Sequence, residues 1–281
     1  LYAGPDRVRL TYGALGMYDV ARGGTEIIWY PGTHDCEDCA RQCILGRVLA
    51  LAIHLRGDLC LHASAVEVNG TALALVAPKG TGKSTLALAL VAAGATLLTD
   101  DMLRIDLRAG ARVSPGVQRL RLHPDSAAAA TAVDIRFEHG NGGKRLSVGL
   151  RPRADAAASV PLRAVYLLQP VGSGARARRT RLDGARATMT LLRNTMLGPL
   201  LGPGQKGTLQ HAVALARMVA VYSLDVPRTY DQLWSCAARL LEWHARDTGA
   251  VLEQHSACDA AQAVIGSEPR TAGRAEAQAV R

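Results

Sequence analysis

The eight residues Ala77-Pro78-Lys79-Gly80-Thr81-Gly82-Lys83-Ser84 carry the clearest chemistry in the chain. They fit the phosphate-loop pattern, with Ala77 in place of its first glycine. Gly80 and Gly82 let the backbone turn its N–H groups inward around phosphate oxygens. A helix starting near Lys83 would aim its positive end at the same anion. Lys83 would reach the β- and γ-phosphates, Ser84 would offer its hydroxyl to Mg²⁺, and Thr85 completes the set lining a nucleotide. A nucleoside triphosphate, as MgATP, is the expected ligand.

Asp100 and Asp101 follow Lys83 by 17 and 18 positions. An Asp at a strand end beside such a loop holds Mg²⁺. One Asp suffices for that; the second can accept the proton of an attacking hydroxyl. Adjacent strand residues point to opposite faces, so a strand end or bulge must aim both inward. The other reading is a metal-site Asp with a solvated neighbour. His62 precedes Lys83 by 21 positions. Read alone, it is a core or surface histidine.

The surrounding elements suit this reading. Residues 71–77 form a nearly continuous apolar run, as a buried strand requires. Asn69-Gly70 before it signals a hairpin with residues 61–68. Residues 85–93 form helix and Gly94 stops it. Residues 95–98 and 102–107 read as strands, with Arg108-Ala109-Gly110 turning the second. Upstream, residues 1–30 read as short strands, and 37–56 as one amphipathic helix. Downstream, 163–169 and 221–224 read as strands and 172–181 as a basic loop. Residues 126–132 read as a short helix, and 185–197, 208–220 and 228–246 as longer ones.

The run from 61 to 106, LHASAVEVNGTALALVAPKGTGKSTLALALVAAGATLLTDDMLRID, resembles the catalytic domain of HPr serine kinase/phosphorylase. It looks closer to the stand-alone HPr-kinase-like serine kinases, some of which modify lasso-peptide precursors. The resemblance is specific over those residues and loose through about residue 245. It implies an α/β fold: a phosphoenolpyruvate-carboxykinase-like phosphate-loop domain with a mixed, largely β central sheet, flanking helices and the loop at its edge. It implies His62 near the transferred phosphoryl, Lys83 on phosphate, Ser84 on Mg²⁺, Asp101 as base and Asp100 in support. The acceptor it implies is a serine hydroxyl on a peptide or small protein, and bifunctional relatives are hexameric, so a homo-oligomer fits. The chain departs from those relatives in lacking their downstream Glu-bearing motif; residues 114–125 stand in its place, with Asp125 as a substitute Mg²⁺ ligand. That departure points to a one-way kinase.

Two further features remain open. Lys144-Arg145 follows a Gly-rich turn and could deliver a cation to the γ-phosphate, or could be an exposed hairpin tip; Arg193 is a second candidate cation. His34, Cys36, Cys39 and Cys43 form a dense cluster. On a helix, Cys36, Cys39 and Cys43 would share one face, which suits free thiols, redox sensing, or Zn²⁺ with His34 as a fourth ligand.

The chain's 281 residues include 48% apolar types, one Phe and six Cys, with net charge +9. The length bounds one large domain or two small ones. The expected division is an N-terminal unit at 1–57, a catalytic domain at 58–246 and a disordered tail at 259–281. The charge reflects either Arg-rich codon usage or an anionic partner. No basic run interleaves with aromatics, which argues against nucleic acid. The most apolar stretch, 44–55, is too short to span a bilayer, and no secretory leader is visible. A cytoplasmic protein is the expectation, with its cysteines unpaired. The leading reading is an ATP-dependent serine kinase. A slow ATPase switch and a small-molecule alcohol kinase are the alternatives.

Overall fold

A computed structural model describes residues 1–34, 36–122, 136–139, 146–149, 159–172, 174–197, 206–227 and 229–249. The N-terminal residues form an antiparallel meander of β1 (Tyr2–Ala3), β2 (Arg7–Thr11), β3 (Gly16–Ala21) and β4 (Ile27–Pro31). Alternation puts Val8, Leu10, Tyr18 and Val20 on its buried face. Arg9 donates both Nε and Nη2 to Asp19 across the β2–β3 pair, at 2.6 and 2.7 Å. The single helix expected over 37–56 is interrupted. It runs as α1 (Glu37–Cys43), a π-helical segment at Ile44–Val48 with Gly46 outside helical geometry, and α2 (Leu49–Leu55). Glycine's freedom permits that break. Val48, Ala50, Leu51 and Ala52 pack with the meander into one core that also takes in Cys60 and Leu197.

The central sheet is mixed. Its strands are β5 (Leu59–Leu61), β6 (Ala63–Val68), β7 (Thr71–Val76), β8 (Thr96–Thr99), β9 (Leu103–Asp106) and β10 (Arg112–Val113), then β14 (Val160–Val171), β15 (Arg178–Arg181) and β16 (Ala220–Pro227). Between them, β11 (Arg119–Leu122), β12 (Arg136–His139) and β13 (Leu146–Gly149) make a separate three-stranded sheet. The path β5-β9-β10-β14-β7-β6-β8 continues through β16 and β15 on the flank of β14. The long β14 runs parallel to both β7 and β16, while β6 pairs with β7 and β8 antiparallel. The strand that feeds the glycine-rich loop is therefore central, flanked on both sides, and not at the sheet's edge. Residues 172–181, expected as loop, end in β15, a cationic edge strand. There Arg179 stacks on Tyr222 and Trp243 and binds Asp247. Its guanidinium does the packing an apolar residue would do.

Helices cover both faces. On one side α3 (Lys83–Ala92) and α6 (Tyr230–Thr248) pack against Leu73, Leu75, Leu224 and Val226. On the other, α4 (Gly184–Arg193) and α5 (Lys206–Met218) cover Ala72, Ala74, Val76, Val165 and Val221. Strand β7 thus buries both faces, as its continuous apolar run anticipates. Among the described residues no helix is long and apolar enough to cross a membrane. The expected helix at 126–132 and tail at 259–281 lie outside the described residues.

Candidate active site

Strand β7 ends at Val76, and the buried Ala77 opens the loop. Pro78 to Thr81 make a turn: the Pro78 carbonyl accepts the Thr81 hydroxyl at 2.8 Å and its amide at 3.4 Å. Gly80 sits third in that turn with φ +84°, and Gly82 caps α3 with φ +100°. A Cβ on either glycine would meet nothing within 4 Å. The requirement there is conformational, since side chains rarely adopt such φ values. Lys83, only 6% exposed, folds back so that Nζ donates to the Ala77 carbonyl at 2.8 Å. Burial lowers its pKa; the nearby carboxylates of Asp101 and Asp100 oppose that shift.

One helical position on, the Ser84 hydroxyl donates to Asp100 Oδ2 at 2.9 Å. Asp100 is buried, and its other oxygen accepts from the buried Ser64 hydroxyl. The register explains the meeting. Leu61 stands opposite Leu103 and Ala65 opposite Thr99. Two long antiparallel strands therefore break at the same level, β5 from β6 at His62 and β8 from β9 at residues 100–102. That break brings His62 and Ser64 against the aspartate pair. Asp101 has φ +66°, a left-handed conformation uncommon for a side-chain-bearing residue. The turn this produces keeps both carboxylates near Lys83, as a strand end can and a regular strand cannot.

His62 lies with Nδ1 2.9 Å from the Asp101 carbonyl oxygen. A carbonyl only accepts, so Nδ1 carries the proton. The His62 amide donates to the Asn194 carbonyl at 2.7 Å. The C-terminal end of α4, with the exposed Arg193, is thereby held against the same strand break. The segment after β10 lies alongside β8: Gly116 N–H bonds the Leu98 carbonyl, and Asp100 N–H bonds the Val117 carbonyl. A Cβ on Gly116 would stand 2.6 Å from Thr99 Oγ1, so a larger residue would displace that hydroxyl from its bond to the Met102 carbonyl.

The structure brings His62, Lys83, Ser84, Asp100 and Asp101 together at the mouth of the loop. Ser84 Oγ and Asp100 Oδ2 converge as two hard oxygen donors, the kind Mg²⁺ takes. Asp125, Lys144 and Arg145 lie outside the described residues. Ser64 was missed by sequence reasoning. Its signal was faint: a hydroxyl two positions after His62, inside an otherwise apolar strand.

The cysteine expectation needs correction. Cys36 is not on the helix; it caps α1, and its sulfur is bonded to that of Cys39 in a disulfide. Cys43 is half-buried apart from them, beside the Tyr18 hydroxyl. Cys39 and Cys43 stand four apart on α1, but Cys39 is tied to the cap residue Cys36, and Cys43 lies outside the group those two make with His34. Cys60 and Cys236 are buried free thiols, each pushed up to about 12 by burial. Cys258 lies outside the described residues.

No protein-family model matches the chain, and no curated protein matches it. Among solved structures it is similar to the Hpr(Ser) kinase/phosphatase from Coxiella burnetii. The identity is 14%, the match covers 68% of this chain and 99% of that chain, and the TM-score is 0.35. So distant a likeness leaves the chemistry to be argued from the residues themselves.

Proposed function

We propose that the chain is a phosphotransferase that binds MgATP at residues 77–85 and passes the γ-phosphate to a hydroxyl, that of a serine in a peptide or small protein. The observation that carries this reading is the Ser84 hydroxyl on Asp100 Oδ2, 2.9 Å apart, at the base of a glycine-rich loop whose lysine is already folded inward. The donor set fits Mg²⁺ through Ser84 and Asp100. When bound, that ion supplies charge neutralisation between the phosphates. The turned-in amides of the loop and Lys83 hold the phosphate oxygens and stabilise the charge of the transition state. The acceptor oxygen forms its bond to the γ-phosphorus as the bond from phosphorus to the bridging oxygen breaks, leaving ADP. Asp101 takes the hydroxyl proton. His62 holds the Asp101 backbone in its left-handed turn and so positions that carboxylate.

The serine acceptor rests on the sequence resemblance alone, as does a phosphoenolpyruvate-carboxykinase-like ancestry for the sheet. The same reading assigns the chain to the cytoplasm, where a bridge between Cys36 and Cys39 would be reversible, not structural. Incubating the purified chain with γ-labelled ATP, Mg²⁺ and candidate serine peptides tests the reading. Label in a peptide or protein that disappears in Asp101→Asn, with ATP binding retained, supports it. Label released only as free phosphate would make the chain an ATPase and sink the transferase reading.

A further inference from the structure

The Cys36–Cys39 pair lies at the start of α1, and neither residue takes part in the bonds described at the loop. One ligand atom from each of His34, Cys36 and Cys39 falls within 4.8 Å of the others. Both cysteines are half-buried and the histidine is exposed. Backbone bonds set the geometry: His34 N–H donates to Ala14 at 2.9 Å, and Cys36 N–H donates to the His34 carbonyl at 3.0 Å. The histidine is thus anchored to the β-meander and the cysteines to the start of α1. The Cys39 amide points at Cys36 Sγ, 3.2 Å away.

We propose that in the reduced protein these three residues bind one soft divalent cation, Zn²⁺ by its chemistry. Two thiolates and an imidazole are a zinc donor set. Ligands on one tetrahedral ion stand about 3–4 Å apart, given bond lengths of about 2.0–2.3 Å. A cluster already inside 4.8 Å needs only a small rearrangement, the two sulfurs parting and the imidazole moving in, once the sulfur–sulfur bond is gone. A dithiol reductant supplies the two electrons and two protons that open the bridge, and is itself oxidised to a disulfide. The cation then displaces both thiol protons and takes the lone pair of neutral His34. Among the described residues Cys43 stands outside the group and no fourth ligand joins it, so we give the fourth position to water. Three protein ligands and an open position make an exchangeable site, unlike a closed structural one. Oxidised, the same pair holds no thiolate and the site is lost.

The test uses the full chain, reduced and freed of reductant without air, with Co²⁺ as spectroscopic probe and Zn²⁺ measured against a chromophoric chelator. One equivalent of Co²⁺ should give saturable thiolate-to-metal absorption, absent from the air-oxidised protein. Cys36→Ser and Cys39→Ser should abolish it, and Cys43→Ser should keep it. His34→Ala changes an exposed side chain and should fold normally. It should weaken Zn²⁺ by more than the roughly 10–100-fold loss expected for an outer partner. Absence of the absorption from the reduced wild type would overturn the proposal. So would unchanged Zn²⁺ affinity in His34→Ala, or loss of the site in folded Cys43→Ser. ATP is absent throughout, so the result is independent of the phosphotransferase reading.

Discussion

His62 Nδ1 donates to the backbone carbonyl of Asp101 at 2.9 Å, joining two strand breaks that are 39 residues apart in sequence. The bond reaches the backbone of the aspartate, so it governs where the carboxylate points without using the carboxylate. His62→Ala is expected to lower kcat for transfer by about a hundredfold, the cost of a misplaced catalytic group, while ATP affinity stays near that of the wild type. Equilibrium nucleotide binding beside single-turnover transfer checks this split.

Asp101 itself separates chemistry from backbone strain. Its φ of +66° suits glycine and asparagine and penalises alanine. Urea unfolding should find Asp101→Gly more stable than Asp101→Ala by about 1 kcal/mol, with transfer lost in both. Equal stabilities would mean that the left-handed turn relaxes when the carboxylate is removed.

Ser64 is buried and donates to Asp100. Ser64→Ala removes a hydroxyl from a buried carboxylate and should cost roughly 1–3 kcal/mol of stability. Asp100 would then lean further on Ser84, and the Mg²⁺ concentration needed for half-maximal transfer should rise. A Mg²⁺ titration of transfer rate measures that shift apart from the stability loss.

Lys83 gives a pH signature. Burial lowers its folded pKa below the ordinary 10.5. Between the folded value and 10.5 the unfolded chain holds the extra proton, so stability rises with pH across that window. Below it, the cost of a buried charge is fully present. Lys83→Met should therefore stabilise the nucleotide-free protein at neutral pH, and its advantage should shrink as the pH climbs through 10.5. Denaturant midpoints of the two proteins across pH 7 to 11 check the sign. The same substitution should abolish triphosphate binding.

The phosphate loop, its strand and its helix were legible because their signals are local: an apolar run, glycines at turn positions and a helix former stopped by Gly94. The meeting of His62 with Asp100 and Asp101 was legible only as spacing. Its cause is non-local pairing of β5 with β9 and β6 with β8, which no short window contains. Ser64 stayed hidden because one small hydroxyl barely disturbs an apolar pattern. The helix start at residue 37 was legible, but the Cys36–Cys39 bridge was not, because it is closed by the side chain of a cap residue that the helical repeat does not include. Arg179 hid strand β15, since a stacked guanidinium is indistinguishable in sequence from a solvated one.

The turn between β6 and β7 has only two residues, Asn69 and Gly70, with φ of +49° and +77°, and Val68 directly faces Thr71 across it. The number of residues from His62 to Lys83 therefore has a parity. One residue added to either arm would move every side chain beyond it to the opposite face, sending Ser64 away from Asp100. Two residues added to each arm would only push the turn farther out and leave the pairing at the loop untouched, since hydrogen-bonded and non-hydrogen-bonded pairs alternate along the hairpin. Length changes between the histidine and the lysine are thus tolerable in matched pairs and damaging singly.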